Sequence, residues 1–418
     1  MIFSLILFTV TYVLMLVLGK YRTYIALGSA GVFIISRMLP LDKVLGAIDF
    51  NVLLMIAGSM GLVKLFIDSK MPNLLAEIII NKVKNVQTAA IALTLFAGII
   101  SAFVDNVATV LMVAPIAVEM CKKLNTSPVP FIIGIAVSSN LQGAATLVGD
   151  TTSIMLGSEA GMSFLDFFWY QGKPGIFFAV ELGAIVSALI IAFIFRKEKH
   201  PIPRQENKTE VTDYVPTLLL LSMLGLLIGA SFIENKPGAT NGLICCTLLA
   251  IGLIYTFIKY KDKDRVIEAL KAIDLQTLGL LLGLFLMIGG ITEQGVIDEA
   301  AKILAGLGGG NEFLLYTLIV WASVLISAFI DNIPYVATML PIISGLGINP
   351  TLLYFGLLSG ATLGGNCTPI GASANITGTA ILRKAGYEVK NKDFFKIGIP
   401  FTLAAVVSAY VFLWSVYS

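Results

Sequence analysis

SAFVDN at residues 101–106 recurs as SAFIDN at residues 327–332. Each copy places an adjacent Asp and Asn inside a stretch that is otherwise apolar. A carboxylate inside a membrane span is costly unless it is paired, protonated or bound to an ion. The repeated string therefore predicts two related polar turns within a hydrophobic protein.

Composition identifies the environment of these turns. Of the 418 residues, 57% are hydrophobic and 13% are charged, and the mean hydropathy is +0.90. Most apolar blocks run to about 17 to 25 residues, enough to cross a bilayer as a helix. Their continuous apolar character does not fit the alternating strands of a membrane β-barrel. We therefore expect an all-α polytopic membrane protein whose residues 1–19 are retained as a first span.

The apolar blocks predict ten spans and two hairpins. The spans lie at residues 2–19, 23–39, 50–68, 127–158, 174–195, 214–233, 240–258, 275–293, 350–382 and 397–416. Two longer blocks, 87–121 and 311–345, carry the Asp-Asn pair near the middle. Each is expected to be a re-entrant hairpin whose turn lines a cavity, because irregular backbone at membrane depth must face protein or water.

Basic residues indicate the orientation. With both termini outside, the inner loops receive most of the Lys and Arg residues, Lys20 and Arg22 among them. The outer loops receive only Arg37, Lys43, Lys173, Lys236 and Lys302. Such a bias follows the positive-inside rule and predicts a multi-pass protein of the inner (plasma) membrane.

The duplication extends beyond the two hexamers. AIDF at 47–50 matches AIDL at 272–275, and the hairpin aspartates are similarly separated (331 − 105 = 226). Further on, GAATLVGDTTSIMLGS at 143–158 aligns by letter with GATLGGNCTPIGASAN at 360–375. This alignment pairs Thr146 with Thr362, Asp150 with Asn366 and Thr152 with Thr368.

Each half contains five spans, so the second half is expected to be inverted relative to the first, with a site near the midplane. We assign residues 1–39 to the N-terminal helices of repeat one, 40–195 to its core, 196–213 to a cytoplasmic linker and 214–418 to repeat two. The first hairpin is expected to open inward and the second outward.

The hairpin tips are the first candidates for a binding site. Asp105 and Asp331 can take a proton or cation, and Asn106 and Asn332 can donate to an anion or offer a carbonyl to a cation. The alternative role for each Asp is to cap the following helix. The two roles are compatible.

The Gly- and Thr-rich interruptions supply the other candidates. In the alignment above, Asp150 faces a neutral Asn366, which favours a cation or proton site in repeat one and a neutral or anionic solute in repeat two. Polar side chains nearby complete the predicted site, with hydrogen bonding to a helical carbonyl as their alternative role: Thr146, Thr151, Thr152, Ser153, Thr362, Thr368, Ser373 and Asn375.

Other ionisable groups are weaker candidates. Glu181 lies about two turns inside a span, where it either exchanges a proton or bonds a neighbouring helix. Lys64 is expected to extend to the headgroups. The single histidine, His200, lies in the polar linker, so proton chemistry within the membrane must use carboxylates.

Taken together, the motifs SAFVDN with APIAVEM, VGDTTSIMLGS, SAFIDN with MLPI, and GGNCTPIGASANI resemble the ArsB/NhaD permeases of the ion transporter superfamily. That group includes arsenite permeases, NhaD-type sodium/proton antiporters, P-protein relatives and, more distantly, citrate and dicarboxylate carriers. The resemblance implies an elevator-like mechanism. Its hairpin-tip motif falls on Asp105, Asn106, Asp331 and Asn332, and its unwound motifs fall on Asp150, Thr151, Thr152, Asn366, Thr368, Ser373 and Asn375.

We therefore predict a secondary transporter of a small inorganic ion, leaning to an oxyanion or arsenite-type permease driven by H⁺ or Na⁺. Sodium/proton antiport and a citrate or dicarboxylate carrier are alternatives, as is the membrane subunit of an ATP-driven arsenite pump. The chain has no Walker-type phosphate-binding motif, so ATP use would need a soluble ATPase partner. A homodimer is left open. No enzymatic constellation, nucleic-acid partner, cofactor or metal beyond a coupling Na⁺ is expected.

Overall fold

The computed structural model describes residues 1–124, 126–202 and 209–418, so part of the predicted linker, residues 203–208, lies outside the described residues. The first half contains α1 Ile2–Val17, α2 Arg22–Ile35, α3 Val44–Ala47, α4 Phe50–Asp68, α5 Met71–Lys82, α6 Val86–Ser101, α7 Asn106–Lys123, α8 Val129–Gly143, α9 Thr151–Glu159 and α10 Ile176–Ile194. The second half contains α11 Val215–Ser231, α12 Thr240–Tyr260, α13 Lys263–Lys271, α14 Leu275–Glu293, α15 Val296–Gly308, α16 Glu312–Ser327, α17 Asn332–Ser344, α18 Thr351–Gly364, α19 Ser373–Lys384 and α20 Asn391–Tyr417. Short 3₁₀ turns lie at Gly19–Tyr21, Leu41–Lys43, Leu165–Phe167 and Gly365–Cys367, and strands β1 Trp169–Tyr170 and β2 Lys173–Pro174 form a small antiparallel pair.

Helix length and composition support a multi-pass membrane protein. Among the described residues, five helical segments are long and apolar enough to cross a membrane: Phe50–Asp68, Ile176–Ile194, Thr240–Tyr260, Lys263–Glu293 and Asn391–Tyr417. Two bent pairs, α1 with α2 and α15 with α16, turn by 113° and 114° and would raise the number to seven. Shorter apolar helices, α6, α8, α11 and α17, occupy other apolar blocks. The ten complete spans stay a prediction.

Each copy of the recurring string ends one helix and begins the next. Asp105 is the N-cap of α7 and accepts a hydrogen bond from the Ala108 N–H at 3.0 Å. Asp331 caps α17 in the same way, through the Ile333 N–H at 3.1 Å. A carboxylate suits this position because it satisfies a free N–H and complements the positive end of the helix dipole. The capping role is therefore present at both hairpin tips.

The two long blocks that follow the hairpins are interrupted. In the first, α8 ends at Gly143, and α9 begins after Asp150, whose carboxylate accepts from the Thr151 N–H at 2.8 Å. In the second, α18 ends at Gly364, and α19 begins after Ala372, which offers no side-chain cap. The two halves thus differ at the start of the second broken helix.

The helices pack as two groups, each drawn from both halves of the chain. The frame group consists of α1, α2, α4, α11, α12 and α14, in which α4 packs along α12 and α2 along α14. The hairpin group consists of α6 to α10 and α16 to α20, in which α6 packs on α8, α16 on α18 and α10 on α20. The groups meet where α7 and α9 contact α4 and where α17 contacts α14.

Helices α5 and α15 connect the two groups at equivalent places. The sequence interpretation left residues 71–82 and 296–308 outside the predicted spans and hairpins. In the structure, α5 lies between α4 and the first hairpin and packs on α6 and α7, whereas α15 lies between α14 and the second hairpin and packs on α16 and α17. Each hairpin therefore has a supporting helix that joins it to the frame group.

The linker between the halves is anchored by Asp213. Its buried carboxylate accepts hydrogen bonds from the Val215 N–H at 3.0 Å and from the hydroxyls of Tyr255 at 3.1 Å and Tyr260 at 3.2 Å, and pairs with Lys259 Nζ at 3.0 Å. Burial alone would raise the pKa of Asp213. The hydrogen bonds and the lysine charge outweigh it and lower the pKa below its ordinary value.

Replacing Asp213 with Asn should lower the free energy of unfolding at neutral pH by about 1–2 kcal/mol, because charge-assisted hydrogen bonds are lost. A lowered pKa contributes stability that is present above the ordinary carboxyl pKa of ~4 and is lost as the pH falls through the lowered pKa. The difference between wild type and Asp213→Asn should therefore shrink on acidification below about pH 4.

Thermal unfolding of the detergent-solubilised chain across this pH range measures the effect. Glu299→Gln is the matched control, since Glu299 forms an exposed pair with Lys302 and exposed pairs contribute little. A difference between wild type and Asp213→Asn that does not change with pH would contradict the assignment.

Candidate functional site

A cavity of about 540 Å³ lies where the hairpin tips, the broken helices and the frame group meet. Helices α2, α4 and α14 of the frame group supply part of its wall, and α7, α8, α9, α17 and α19 of the hairpin group supply the rest. We call it the central cavity. The starts of α7, α9, α17 and α19 all border it.

About half of the predicted site residues line the central cavity. These are Asp105, Asn106, Asp150, Thr151, Asp331, Asn332 and Ser373. The others lie behind the cavity wall and are buried: Thr146, Thr152, Ser153, Thr362, Asn366, Thr368 and Asn375. Glu181 lies on α10 and is not among the residues that line the cavity. Its predicted part in proton exchange therefore stays a prediction.

Asn140 joins the polar elements of the two halves. Its amide nitrogen donates to the Thr362 carbonyl at 2.6 Å and to Asn366 Oδ1 at 3.1 Å, and its Oδ1 accepts from Asn106 Nδ2 at 3.1 Å. It is buried, yet it lines the central cavity. Asn140 was not among the predicted site residues.

Thr146 and Thr368 make equivalent contacts. Thr146 donates its hydroxyl to the carbonyl of Ala102, and Thr368 donates to the carbonyl of Ala328. Ala102 and Ala328 are the second residues of the two hexamers. The alignment by letter paired Thr146 with Thr362, so the structure corrects the register at the broken helices.

Two glycines, Gly149 and Gly371, occupy equivalent positions and so support the same pairing of residues between the two halves. A Cβ on Gly149 would lie 2.5 Å from the carbonyl oxygen of Gly143 and 2.8 Å from those of Ala102 and Ser101. A Cβ on Gly371 would lie 2.5 Å from the carbonyl oxygen of Gly365, 2.8 Å from that of Ala328 and 3.0 Å from that of Ser327. Each hairpin tip therefore approaches a broken helix so closely that only glycine fits between them.

A third pair of contacts fixes the partner of Asp150. Ser153 donates to the Gly143 carbonyl at 3.4 Å, and Asn375 donates to the Gly365 carbonyl at 3.1 Å. Counting back from these residues, the counterpart of Asp150 is Ala372. The predicted pairing of Asp150 with Asn366 was wrong. The asymmetry is sharper than predicted, because a carboxylate in one half is replaced by a methyl group in the other.

Asp150 lies in a cluster of hydroxyls. Thr152 Oγ1 donates to Asp150 Oδ2 at 2.8 Å and lies 3.2 Å from Thr362 Oγ1, which belongs to the second half. The Thr151 N–H donates to the other carboxylate oxygen. The cluster therefore contains carboxylate and hydroxyl oxygens, which are ligands of hard cations.

Three charged residues of the cavity wall were not predicted as part of the site. Arg22, at the start of α2, forms an ion pair with Asp331, although it was assigned to an inner loop. Lys64 pairs with Asp68 and also lines the cavity. Asp274 caps α14 at the cavity wall. The sequence interpretation considered each of these residues only within its own span or loop. Neither the hydropathy of the spans nor the match of AIDF with AIDL shows which distant residues lie together in the folded protein.

The carboxylates of the cavity wall are spread around it. Among the described residues no group of three or more His, Cys, Asp or Glu side chains is arranged to hold a metal ion. A cation in this cavity would therefore need hydroxyl or backbone oxygens in addition to carboxylate oxygens.

Solved structures with the same fold are membrane transporters. The Alcanivorax borkumensis YdaH transporter superposes with a TM-score of 0.61 at 14% identity, covering 90% of this chain and 89% of that one. MtrF of Neisseria gonorrhoeae, described as illuminating a class of antimetabolite efflux pumps, gives 0.56 at 15% identity, covering 89% and 82%. The fold is that of a membrane transporter.

The chain belongs to the citrate transporter family (CitMHS), whose model matches residues 12–351. An uncharacterized transporter of Mycobacterium tuberculosis is 30% identical over 407 residues, 94% of this chain and 93% of that protein. The human P protein is 26% identical over 483 residues, 96% of this chain and 57% of that protein. The protein is therefore a secondary transporter of the ion transporter superfamily, and the narrower ArsB/NhaD assignment stays a prediction.

Proposed function

We propose that this protein is a cation-coupled transporter of a small carboxylate anion of the citrate or dicarboxylate class. One observation carries the proposal: of the four helix starts that the hairpin group places at the central cavity, those of α7, α9 and α17 are capped by Asp, whereas that of α19 has no side-chain cap. The capped starts favour cations and the uncapped start favours an anion.

The cation part of the argument rests on Asp105 and Asp150. Both carboxylates line the cavity within the apolar bundle, where a charge is costly unless it is neutralised. Neither has a Lys or Arg partner among the described residues. A proton or Na⁺ would neutralise them, and Thr152 and nearby carbonyls would supply further oxygens for Na⁺.

The anion part rests on the start of α19. The backbone N–H groups of Ser373 and Ala374 have no acceptor among the described residues. Free N–H groups and the positive end of the helix dipole attract a carboxylate. Ser373 adds a hydroxyl to the cavity wall. The same geometry in repeat one is occupied by the Asp150 carboxylate itself.

Cavity size separates the substrate classes. About 540 Å³ lies within the range of about 300–1,000 Å³ that is usual for small-molecule sites. A small organic acid fills such a space better than a bare oxyanion or arsenite does. The family's description as citrate transporters agrees with this choice.

The helix groups suggest how transport proceeds. We infer that the two halves are inverted repeats and that the hairpin group moves against the frame group as in an elevator. Each hairpin contacts the frame group through only a few helices. The cavity is bordered by the end of α4 and the start of α14, next to the basic segment 259–271 that includes α13, so this conformation would open inward.

Sodium/proton antiport is the second candidate. Its support is the excess of carboxylates on the cavity wall, where Asp105, Asp150, Asp274 and Asp331 face the cations Arg22 and Lys64.

Reconstituted proteoliposomes test both candidates. We expect uptake of citrate or succinate that depends on an imposed Na⁺ or H⁺ gradient, and little uptake of arsenite. A Na⁺ gradient that moves protons with no anion present, and no carboxylate uptake, would establish the antiporter instead.

Asp150→Asn and Asp105→Asn should each weaken the dependence of transport on the coupling cation by roughly 10- to 100-fold, because a charge-assisted contact is lost while the cap is kept. The measurement is uptake against Na⁺ concentration and pH. Asp262→Asn is the matched control, since Asp262 caps α13 outside the cavity. Unchanged cation dependence in both cavity variants would leave these residues as caps only.

A further inference from the structure

Arg22 holds a position that its neighbours in sequence do not explain. It is the first residue of α2, directly after the turn of 113° that follows α1. Its Nη1 donates to Asp331 Oδ2, across a separation of 309 positions in the chain. The two side chains are 32% and 25% exposed, so both remain accessible from the cavity. The structure therefore places Arg22 on the cavity wall and not in a loop.

The ion pair bridges the two helix groups. Helix α2 packs on α14 and α1 within the frame group, whereas Asp331 caps α17 in the hairpin group. The corresponding aspartate of the first hairpin, Asp105, has no ion-pair partner among the described residues. The contact with a cation is thus specific to the second hairpin.

Arg22 also lies beside the uncapped start of α19. Arg22, Asp331 and residues 371–373 line both the central cavity and a second cavity, also of about 540 Å³, that adjoins it on the side of Tyr21 and Tyr24. The Arg22 guanidinium, the Asp331 carboxylate and the free N–H groups at the start of α19 therefore lie on the same wall of the cavity. An anion that enters through either cavity reaches all three.

The guanidinium of Arg22 has N–H donors that make no hydrogen bond among the described residues. Its contact with Asp331 engages Nη1, and among the described residues no other acceptor lies within hydrogen-bond distance of the group. A guanidinium has five N–H donors in a planar fork that matches a carboxylate with two parallel bonds. A substrate carboxylate can therefore bind Arg22 with more hydrogen bonds than Asp331 makes.

We propose that Arg22 recognises the substrate carboxylate and that Asp331 occupies Arg22 when no substrate is bound. This inference rests on the proposed function. Substrate binding exchanges one carboxylate for another on the same guanidinium and separates the hairpin tip from α2. The ion pair between Arg22 and Asp331 joins the hairpin group to the frame group. Substrate binding to Arg22 breaks this pair and so releases the hairpin group from the frame group.

The exchange predicts opposite effects for the two partners. Arg22→Gln should weaken the binding of citrate or succinate about tenfold or more, because the charge-assisted fork is lost. Asp331→Asn should tighten binding by roughly two- to fivefold, because the competitor is removed while Asn still caps α17. Arg22→Lys should give an intermediate loss, since an ammonium lacks the fork.

Equilibrium binding of radiolabelled citrate and succinate to the detergent-solubilised full chain tests the proposal, with thermal unfolding to verify that each variant is folded. Lys43→Gln is the matched control: it breaks the ion pair with Glu293, which lines a different cavity, and should leave binding unchanged. The double variant Arg22→Gln/Asp331→Asn should bind as weakly as Arg22→Gln alone.

Equal weakening by Arg22→Gln and Asp331→Asn, with no further loss in the double variant, would show a structural ion pair and overturn the proposal. Wild-type binding that survives Arg22→Gln unchanged would overturn it while leaving the proposed function intact. Absence of carboxylate binding in the folded wild type would overturn both.

Discussion

Gly149→Ala and Gly371→Ala should each abolish transport and lower the free energy of unfolding by about 3 kcal/mol or more. In each case the new Cβ would meet backbone carbonyl oxygens at 2.5 to 3.0 Å. Backbone atoms cannot rotate away as a side chain can, so the hairpin tip must move away from the broken helix. The oxygens that would surround a coupling cation would move with it.

Two measurements separate these effects from a general intolerance of alanine. Gly225→Ala is the matched control, because Gly225 lies in a helix and its Cβ would meet nothing within 4 Å. That variant should keep wild-type uptake and melting temperature, or gain slightly because alanine favours helices. Wild-type uptake by Gly149→Ala would contradict the close packing of the hairpin tip on the broken helix.

The hairpins and the interrupted helices could be predicted because their signals are local. An Asp between two apolar runs predicts a helix N-cap, and glycines within an apolar block predict an interruption. Asp105, Asp331 and Asp150 all occupy cap positions in the structure. The membrane class followed equally directly, from apolar blocks of spanning length.

The register of the repeat could not be predicted from matching letters. Hairpin tips are separated by 226 positions, but the broken helices correspond at a smaller separation (368 − 146 = 222). The difference arises where α17, with 13 residues, is shorter than α7, with 18. The similar strings starting at Gly143 and Gly360 suggested a separation that the hydrogen bonds do not support.

Arg22 and the helices α5 and α15 were missed for a different reason. Hydropathy distinguishes apolar spans from the polar loops between them. It therefore predicts that a residue close to a loop is exposed to solvent. Arg22 is recruited to the cavity because α2 packs on α14, whose start borders the same wall. Such a contact depends on tertiary packing between residues far apart in the chain.

Asn140 shows how the two halves form one site. It belongs to α8 of the first half and bonds to Thr362 and Asn366 of the second, while Asn106 of the first hairpin donates to it. Buried polar groups without partners cost about 1–3 kcal/mol each. Removing the Asn140 amide leaves three such groups, so the loss should exceed that of a single hydrogen bond.

Asn140→Leu should therefore lower the free energy of unfolding by about 3 kcal/mol and abolish carboxylate uptake. Asn140→Ser, which leaves room for a water molecule to bridge the orphaned groups, should be folded and should bind substrate weakly. Asn51→Leu is the matched control: Asn51 also joins the halves, through the Gly242 N–H at 2.9 Å, but lies outside the central cavity. Thermal unfolding with and without citrate separates the two residues. Asn51→Leu should lose stability and keep the shift that citrate produces. Asn140→Leu should lose both, and Asn140→Ser should show a smaller citrate shift. An undiminished citrate shift in Asn140→Ser would contradict a direct part for Asn140 in the site.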